Sequence, residues 1–271
     1  MARNSASFDP TEQTGPVAPP RRDFLKLTAA LPVAGLPLGA TAAPGDSPLT
    51  PSGMGTALSG SNYRYLVPQE VSAVQALVAR LIPADALGPG AREAGVPLYI
   101  DGQLAGIYGQ MGRTYRSGPW PPGTPQQGYQ SALTPAEVLR EGLAGLASHC
   151  DSVFGKRIED LTTTQQDDLL KQMEAGALKF TAVPAQLFFE QLYALTVEGF
   201  FADPVYGGNV GKVGWSMVGY PGAAAAYIGA VGQHGVAYRV QPVSLADLHS
   251  GRVDNDGLGH AIHQLLPGAT S

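Results

Sequence analysis

Apolar residues in this chain recur at the spacing of an α-helix, and that period sets the fold class. Val71, Val74, Leu77, Val78, Leu81 and Ile82 form one stripe, which begins near Pro68 and stops at Pro83. Val96, Ile100, Leu104, Ile107 and Tyr108 form a second. Thr134-Pro135-Ala136-Glu137 is a capping box with proline at the first helical position. It opens a third stripe through Leu139, Leu143, Leu146, Cys150 and Val153, with Gly155 placed to cap its end. A fourth helix runs from about Thr163, capped by hydroxyl side chains, through Leu169, Leu170 and Met173 to Gly176. A fifth starts near Pro184 and carries Leu187, Phe188, Leu192, Leu195 and Phe200. No alternating run bounded by turn residues is long enough to read as a strand before the C-terminal tail. The expected fold is all-α: a single compact helical domain with long Gly/Pro-rich loops and an extended tail from Ala223 to Ser271.

Composition narrows the function. Cys150 is the single cysteine of the 271 residues, so no internal disulfide forms and packing alone must hold the fold. A c-type haem needs Cys-x-x-Cys-His and an iron–sulfur cluster needs about four thiolates, so both are excluded from this chain. Cys150 lies on an apolar stripe and reads as a buried small hydrophobe. Charged residues make up 14%, against about 25% in an average globular protein. Either part of the surface is covered by something else, or this is an extracellular protein with a loop surface rich in its 35 Gly and 23 Pro. The net charge is −5 and no basic run occurs beyond the N-terminal region, which argues against a nucleic-acid partner.

That N-terminal region reads as an address. Arg21, Arg22, Phe24, Leu25 and Lys26 precede a mildly apolar run, Leu27 to Ala40, and a small-x-small site, Ala40-Thr41-Ala42. Paired arginines ahead of a weak hydrophobic run are the pattern of a twin-arginine export signal, although Pro20 replaces the usual Ser or Thr. The run is shorter than the ~20 residues of a spanning helix and is interrupted by Pro32, Gly35, Pro37 and Gly39. The expected organisation is a signal at 1–42, a disordered linker at 43–66, a helical domain at 67–222 and a tail at 223–271. A twin-arginine passenger crosses folded, often with a cofactor or partner in place, and is then soluble or peripheral.

Signs of chemistry in the chain itself are few. No Gly-x-Gly-x-x-Gly is present. Gly214-Trp215-Ser216-Met217-Val218 lacks the second glycine of a nucleophile elbow. Asp254-Asn255-Asp256-Gly257 fails as a calcium loop, because Arg252 and His263 fall where carboxylates are needed. His260 and His263 share a helical face and, with Asp254 or Asp256, have the residue types of a metal site; in a polar tail such a pair is ordinarily incidental, as is His149. Glu198 and Asp203 read either as an acid/base pair or as a structural cap and turn around Asp203-Pro204. The long loop from Gly109 to Leu133 carries Trp120 and Tyr129 among prolines and reads as functional or partner-facing.

Several stretches resemble one family. Leu81-Ile82-Pro83-Ala84-Asp85, Gly88-Pro89-Gly90-Ala91, Ala94-Gly95-Val96, Ile100-Asp101 and Gln103-Leu104 are similar to the opening of the gluconate 2-dehydrogenase subunit 3 family. Glu198-Gly199-Phe200-Phe201-Ala202-Asp203-Pro204, followed by Tyr206-Gly207-Gly208-Asn209, is the strongest match, and Trp215 with Gly219-Tyr220-Pro221-Gly222 closes it. The resemblance implies a non-catalytic small subunit of a membrane-associated, periplasmic sugar or sugar-acid dehydrogenase, peripheral to the inner membrane through its partners. It implies no cofactor in this chain, FAD in a large flavoprotein subunit, and haem c in a multihaem cytochrome c subunit. It also implies that this chain presents the complex to the twin-arginine translocation machinery. On that view Trp120, Tyr129, Phe200, Phe201, Tyr206 and Trp215 are the candidate interface, with core packing as the alternative for each. Gly207-Gly208-Asn209 should turn through positive φ. The rival readings are a stand-alone secreted hydrolase-type enzyme using Glu198 and Asp203, and an extracellular binding protein.

Overall fold

A computed structural model of the chain describes residues 63–121, 123–223, 232, 234–235 and 238–252. The expected export signal at Arg21, Arg22, Phe24, Leu25 and Lys26, most of the spacer, and Asp254, Asp256, His260 and His263 lie outside the described residues. Among the described residues there are eight α-helices: α1 (Pro68–Leu81), α2 (Val96–Ala105), α3 (Ile107–Gln110), α4 (Pro135–Phe154), α5 (Thr163–Glu174), α6 (Ala185–Phe201), α7 (Val213–Val218) and α8 (Leu245–His249). Helices α1, α2, α4, α5 and α6 stand where the apolar period and the caps place them, whereas α3, α7 and α8 are additions to that expectation. No strand occurs among the described residues, and the fold is all-α.

The caps work as their residue types require. The Glu137 N–H donates to Thr134 Oγ1 at 3.2 Å, and the Thr134 N–H donates to the Glu137 carboxylate at 2.7 Å, satisfying two of the donors that α4 leaves free. Thr162 and Gln165 repeat the exchange at the start of α5, at 3.3 and 3.0 Å. Gly155 closes α4 in the left-handed region at φ 59°.

Helix α6 is the hub, packing against α1, α2, α4, α5 and α7. Its inward face, Phe188, Leu192, Leu195 and Phe200, is fully buried. At the crossing with α4 a Cβ on Gly142 would stand 2.1 Å from the Phe188 ring, so the ring lies directly on helix backbone. Cys150 is buried in the same core, and burial pushes its thiol up to about 11, as befits a packing residue.

The apolar stripes misplace three residues. Ile107 and Tyr108 are 58% and 42% exposed, because extended backbone at Gly106 ends α2 and resets the helical phase for α3. Val153 is 57% exposed, and its neighbour Phe154 turns toward the core instead.

Both ends of the domain are fastened by a carboxylate. Asp101, buried in α2, accepts backbone N–H bonds from Arg64, Tyr65 and Leu66, each at 2.8 Å. Residues 63–66, at the end of the expected linker, are thereby part of the packed domain, with Leu66 in the core. Residues 238–252 of the expected extended tail return to the domain rather than standing away from it. Val243 bridges to Gly222, burying Val240 and Val243, and Asp247 on α8 accepts from Lys212 Nζ at 2.7 Å. Burial alone would raise the Asp247 carboxyl; the Lys212 ammonium and the Ser244 N–H and hydroxyl outweigh it and hold it at about 2.

Two outcomes follow from these fastenings. Asp101→Ala strands three N–H donors and should lower the unfolding free energy by about 3 kcal/mol or more, and Asp101→Asn, which must turn an NH₂ toward one donor, by about 1–2 kcal/mol. Denaturant titration measures both, and wild-type stability in Asp101→Ala would refute the assignment. The depressed pKa of Asp247 gives a stabilisation that is complete above the unfolded-state value near 4 and vanishes as pH falls through about 2. Its size is at most about 2 kcal/mol. Hydrogen-exchange protection factors at 243–250, referred to the intrinsic rate at each pH, should therefore fall between pH 4 and 2 in the wild type, and be low already at pH 7 in Asp247→Ala.

Candidate functional site

The stretch from Glu198 to Trp215 is built around the end of α6. A helix leaves its last carbonyls without intrahelical donors, and here side chains supply them. Asn209 Nδ2 donates to the Ala202 carbonyl at 2.9 Å, and Trp215 Nε1 donates to the Phe201 carbonyl at 2.7 Å. Asn209 Oδ1 also accepts the Gly214 N–H at 2.9 Å, tying the start of α7 to the same point. To reach there, the loop turns through positive φ at Gly207 (97°) and Asn209 (49°), as the sequence leads one to expect. Gly208 passes so close that a Cβ would meet the Gly199 carbonyl oxygen at 2.2 Å, which bars any other residue. Asn209 is fully buried.

The geometry separates the roles of Glu198 and Asp203. Asp203 is a cap: Oδ1 accepts the Val205 N–H at 3.0 Å, starting the 3₁₀ turn Pro204–Tyr206, and Oδ2 accepts the Leu245 N–H at 2.8 Å, seating α8. Each oxygen thus accepts one backbone N–H, the geometry of the cap and turn. Glu198 faces outward from α6 with its carboxyl against Tyr99, whose hydroxyl donates at 3.4 Å. Partial loss of solvent raises the Glu198 pKa above the ordinary glutamate value, and the Tyr99 bond offsets this only in part. Burial likewise raises Tyr99, with the Glu198 charge adding to it, and raises Tyr108. Among the described residues no group of three His, Cys, Asp or Glu is disposed to hold a metal ion.

The six candidate interface aromatics fall into two sets. Phe200 (1% exposed) and Trp215 (5%) are interior: Phe200 faces the core of the helical bundle, and Trp215 spends its N–H on α6 and its ring edge-on against Tyr220, centroids 5.2 Å apart. In this chain both rings are taken up largely by packing within the domain. Phe201 is half-buried and, with Asp203, Trp215, Val218, Tyr220 and Leu245, lines an open groove of about 560 Å³. Tyr206 is 58% exposed. Trp120 is 41% exposed under the Arg116 guanidinium, and Tyr129 is half-buried with its hydroxyl on the Leu133 carbonyl at 2.6 Å.

Sequence reasoning passed over Asp101, Asn209 and Asp247 as structural keystones. The first carried a signal, a lone carboxylate within an otherwise apolar helix. The other two act on backbone and a lysine whose positions follow only from the tertiary fold.

Residues 68–222 match the family model described as gluconate 2-dehydrogenase subunit 3. No curated protein and no solved structure matches the chain. The matched segment runs from the first residue of α1 to the glycine that bridges Val243, and it contains Asp101, Glu198, Asn209 and Trp215. It is more than half of the chain, so this protein belongs to the gluconate 2-dehydrogenase subunit 3 family.

Proposed function

We propose that this chain is the non-catalytic small subunit of a periplasmic, FAD-dependent sugar or sugar-acid dehydrogenase. It escorts the folded flavoprotein subunit through twin-arginine export and then stabilises the complex. The family match over residues 68–222 carries the reading, and the Arg21-Arg22 motif supports it. FAD belongs to the large subunit and haem c to a cytochrome subunit. The chain's one cysteine is buried in the α4 stripe and offers no thiol for covalent haem attachment. The engagement of both Asp203 oxygens by backbone favours this reading over a stand-alone acid/base enzyme.

In such an assembly the helical domain has two tasks. It presents a fixed surface, which the capped end of α6 provides, and it carries an export address on a segment fastened to Asp101. Substrate specificity lies in the large subunit, and anchorage at the inner membrane comes through the partners; among the described residues no helix is long and apolar enough to cross a membrane.

Two experiments test this. Purification from the native host under mild conditions should bring down a large subunit with a flavin spectrum, while the isolated, flavin-free chain should show no turnover with dye acceptors; turnover by the isolated chain would overturn the proposal. Replacing Arg21 and Arg22 together by Lys should leave dehydrogenase activity in the cytoplasm. Undiminished periplasmic activity in that variant would remove the escort role.

A further inference from the structure

Glu198 lies on a face made by four elements of the fold: Tyr99 comes from α2, Tyr108 from α3, Glu198 from α6, and Tyr206 from the turn that follows it, close enough for their charges to interact. Tyr99 is buried and touches the carboxylate through its hydroxyl, whereas Tyr108 (42% exposed) and Tyr206 (58%) turn ring surface to solvent, as does Ile107 (58%). Gln191, two turns earlier on α6, is buried and uses one end of its amide on Tyr108 Oη at 3.4 Å; the other end has no partner.

Among the described residues no cation stands on this face. Among the described residues Glu70 pairs with Arg140, Asp167 with Arg80 and Asp247 with Lys212, but no basic side chain reaches Glu198. The pKa of Asp247, with its lysine, is depressed; that of Glu198 is raised, as expected of a partly desolvated carboxylate that the Tyr99 hydrogen bond relieves only in part. Such a group gains more from an incoming cation than a fully hydrated one, because part of its desolvation has already occurred.

We propose that this face is a docking surface for the flavoprotein subunit, and that an arginine of that subunit pairs with Glu198 against the rings of Tyr108 and Tyr206. The inference rests on the accessory-subunit reading above. Arginine fits better than lysine: its planar guanidinium bonds a carboxylate bidentately, stacks on aromatic rings and is weakly hydrated. A protein fits better than a free small cation, since the carboxylate stands on an open face flanked by exposed tyrosines and Ile107, the composition of an interface centre.

The test uses the complex from the native host, captured through a tag on this chain carrying Glu198→Gln, Glu198→Arg, Tyr108→Ala or, as a control on the same helix, Glu190→Gln. Glu190 is exposed and bonds only to Gln186, at 3.0 Å. Glu198→Gln and Tyr108→Ala should weaken flavoprotein retention at least ten-fold and Glu198→Arg a hundred-fold, with Glu190→Gln unchanged. Retention by the wild type should fall with salt, and less steeply in Glu198→Gln. The isolated Glu198→Gln domain should melt at or above the wild-type temperature, which separates a weak interface from a damaged fold. Equal retention by wild type, Glu198→Gln and Glu198→Arg would place docking elsewhere and overturn the inference while leaving the accessory role intact. A wild-type chain that brings down no flavoprotein would overturn that role, and this interface with it. A wild-type homodimer dissolved by Glu198→Gln would replace the flavoprotein with a second copy of this chain, and overturn the inference on that ground.

Discussion

The end of α6 is where the fold is tied. Helix ends are ordinarily satisfied by their own next residues or by water, but here the donors come from side chains seven and fourteen positions downstream of the carbonyls they satisfy. Asn209 and Trp215 each spend a buried N–H on a terminal carbonyl of α6, at Ala202 and Phe201. Those two bonds set the path of the intervening loop, which in turn places Tyr206 outside and Gly208 against Gly199. They also fix where α7 begins, through the Gly214 N–H on Asn209. With α6 packed on five other helices, whatever holds its C-terminal end in register constrains the whole domain.

A chain with one thiol and few charges has limited means of stiffening its loops. Buried and half-buried carboxylates and amides supply the stiffness instead. Asp101, Asp203, Asn209 and Asp247 each bring two or more bonds to a single side chain, and every one of them binds backbone. This cross-links segments distant in sequence without a disulfide, and it does so with groups indifferent to the redox state of the compartment.

The elements themselves were legible in the sequence because their determinants are local. A capping box, a proline at the first helical position and a stripe of period 3.6 lie within a few residues of what they specify, and α1, α4, α5 and α6 form where those signals stand. The stripes failed where a single glycine broke phase: Gly106 sends Ile107 and Tyr108 outward. Aromatic character did not separate interface from interior. Phe200 and Phe201 are adjacent and chemically identical, yet α6 buries the first fully on its core stripe and the second, one helical step round, by half. Nor could the partners of Asp101 be read, since backbone amides at residues 64–66 carry no sequence mark.

The Asp101 fastening has a mechanical consequence. Any pull on the chain upstream of Tyr63 is borne first by three hydrogen bonds that converge on one carboxylate, so the load is shared instead of being unzipped bond by bond. From Asp101 it passes along α2, whose Tyr99 ring lies on Gly199 of α6, and so reaches the hub of the core. A machine that grips the N-terminal segment therefore draws on the whole domain at once, and the first thing to yield under tension is the clamp, not a helix.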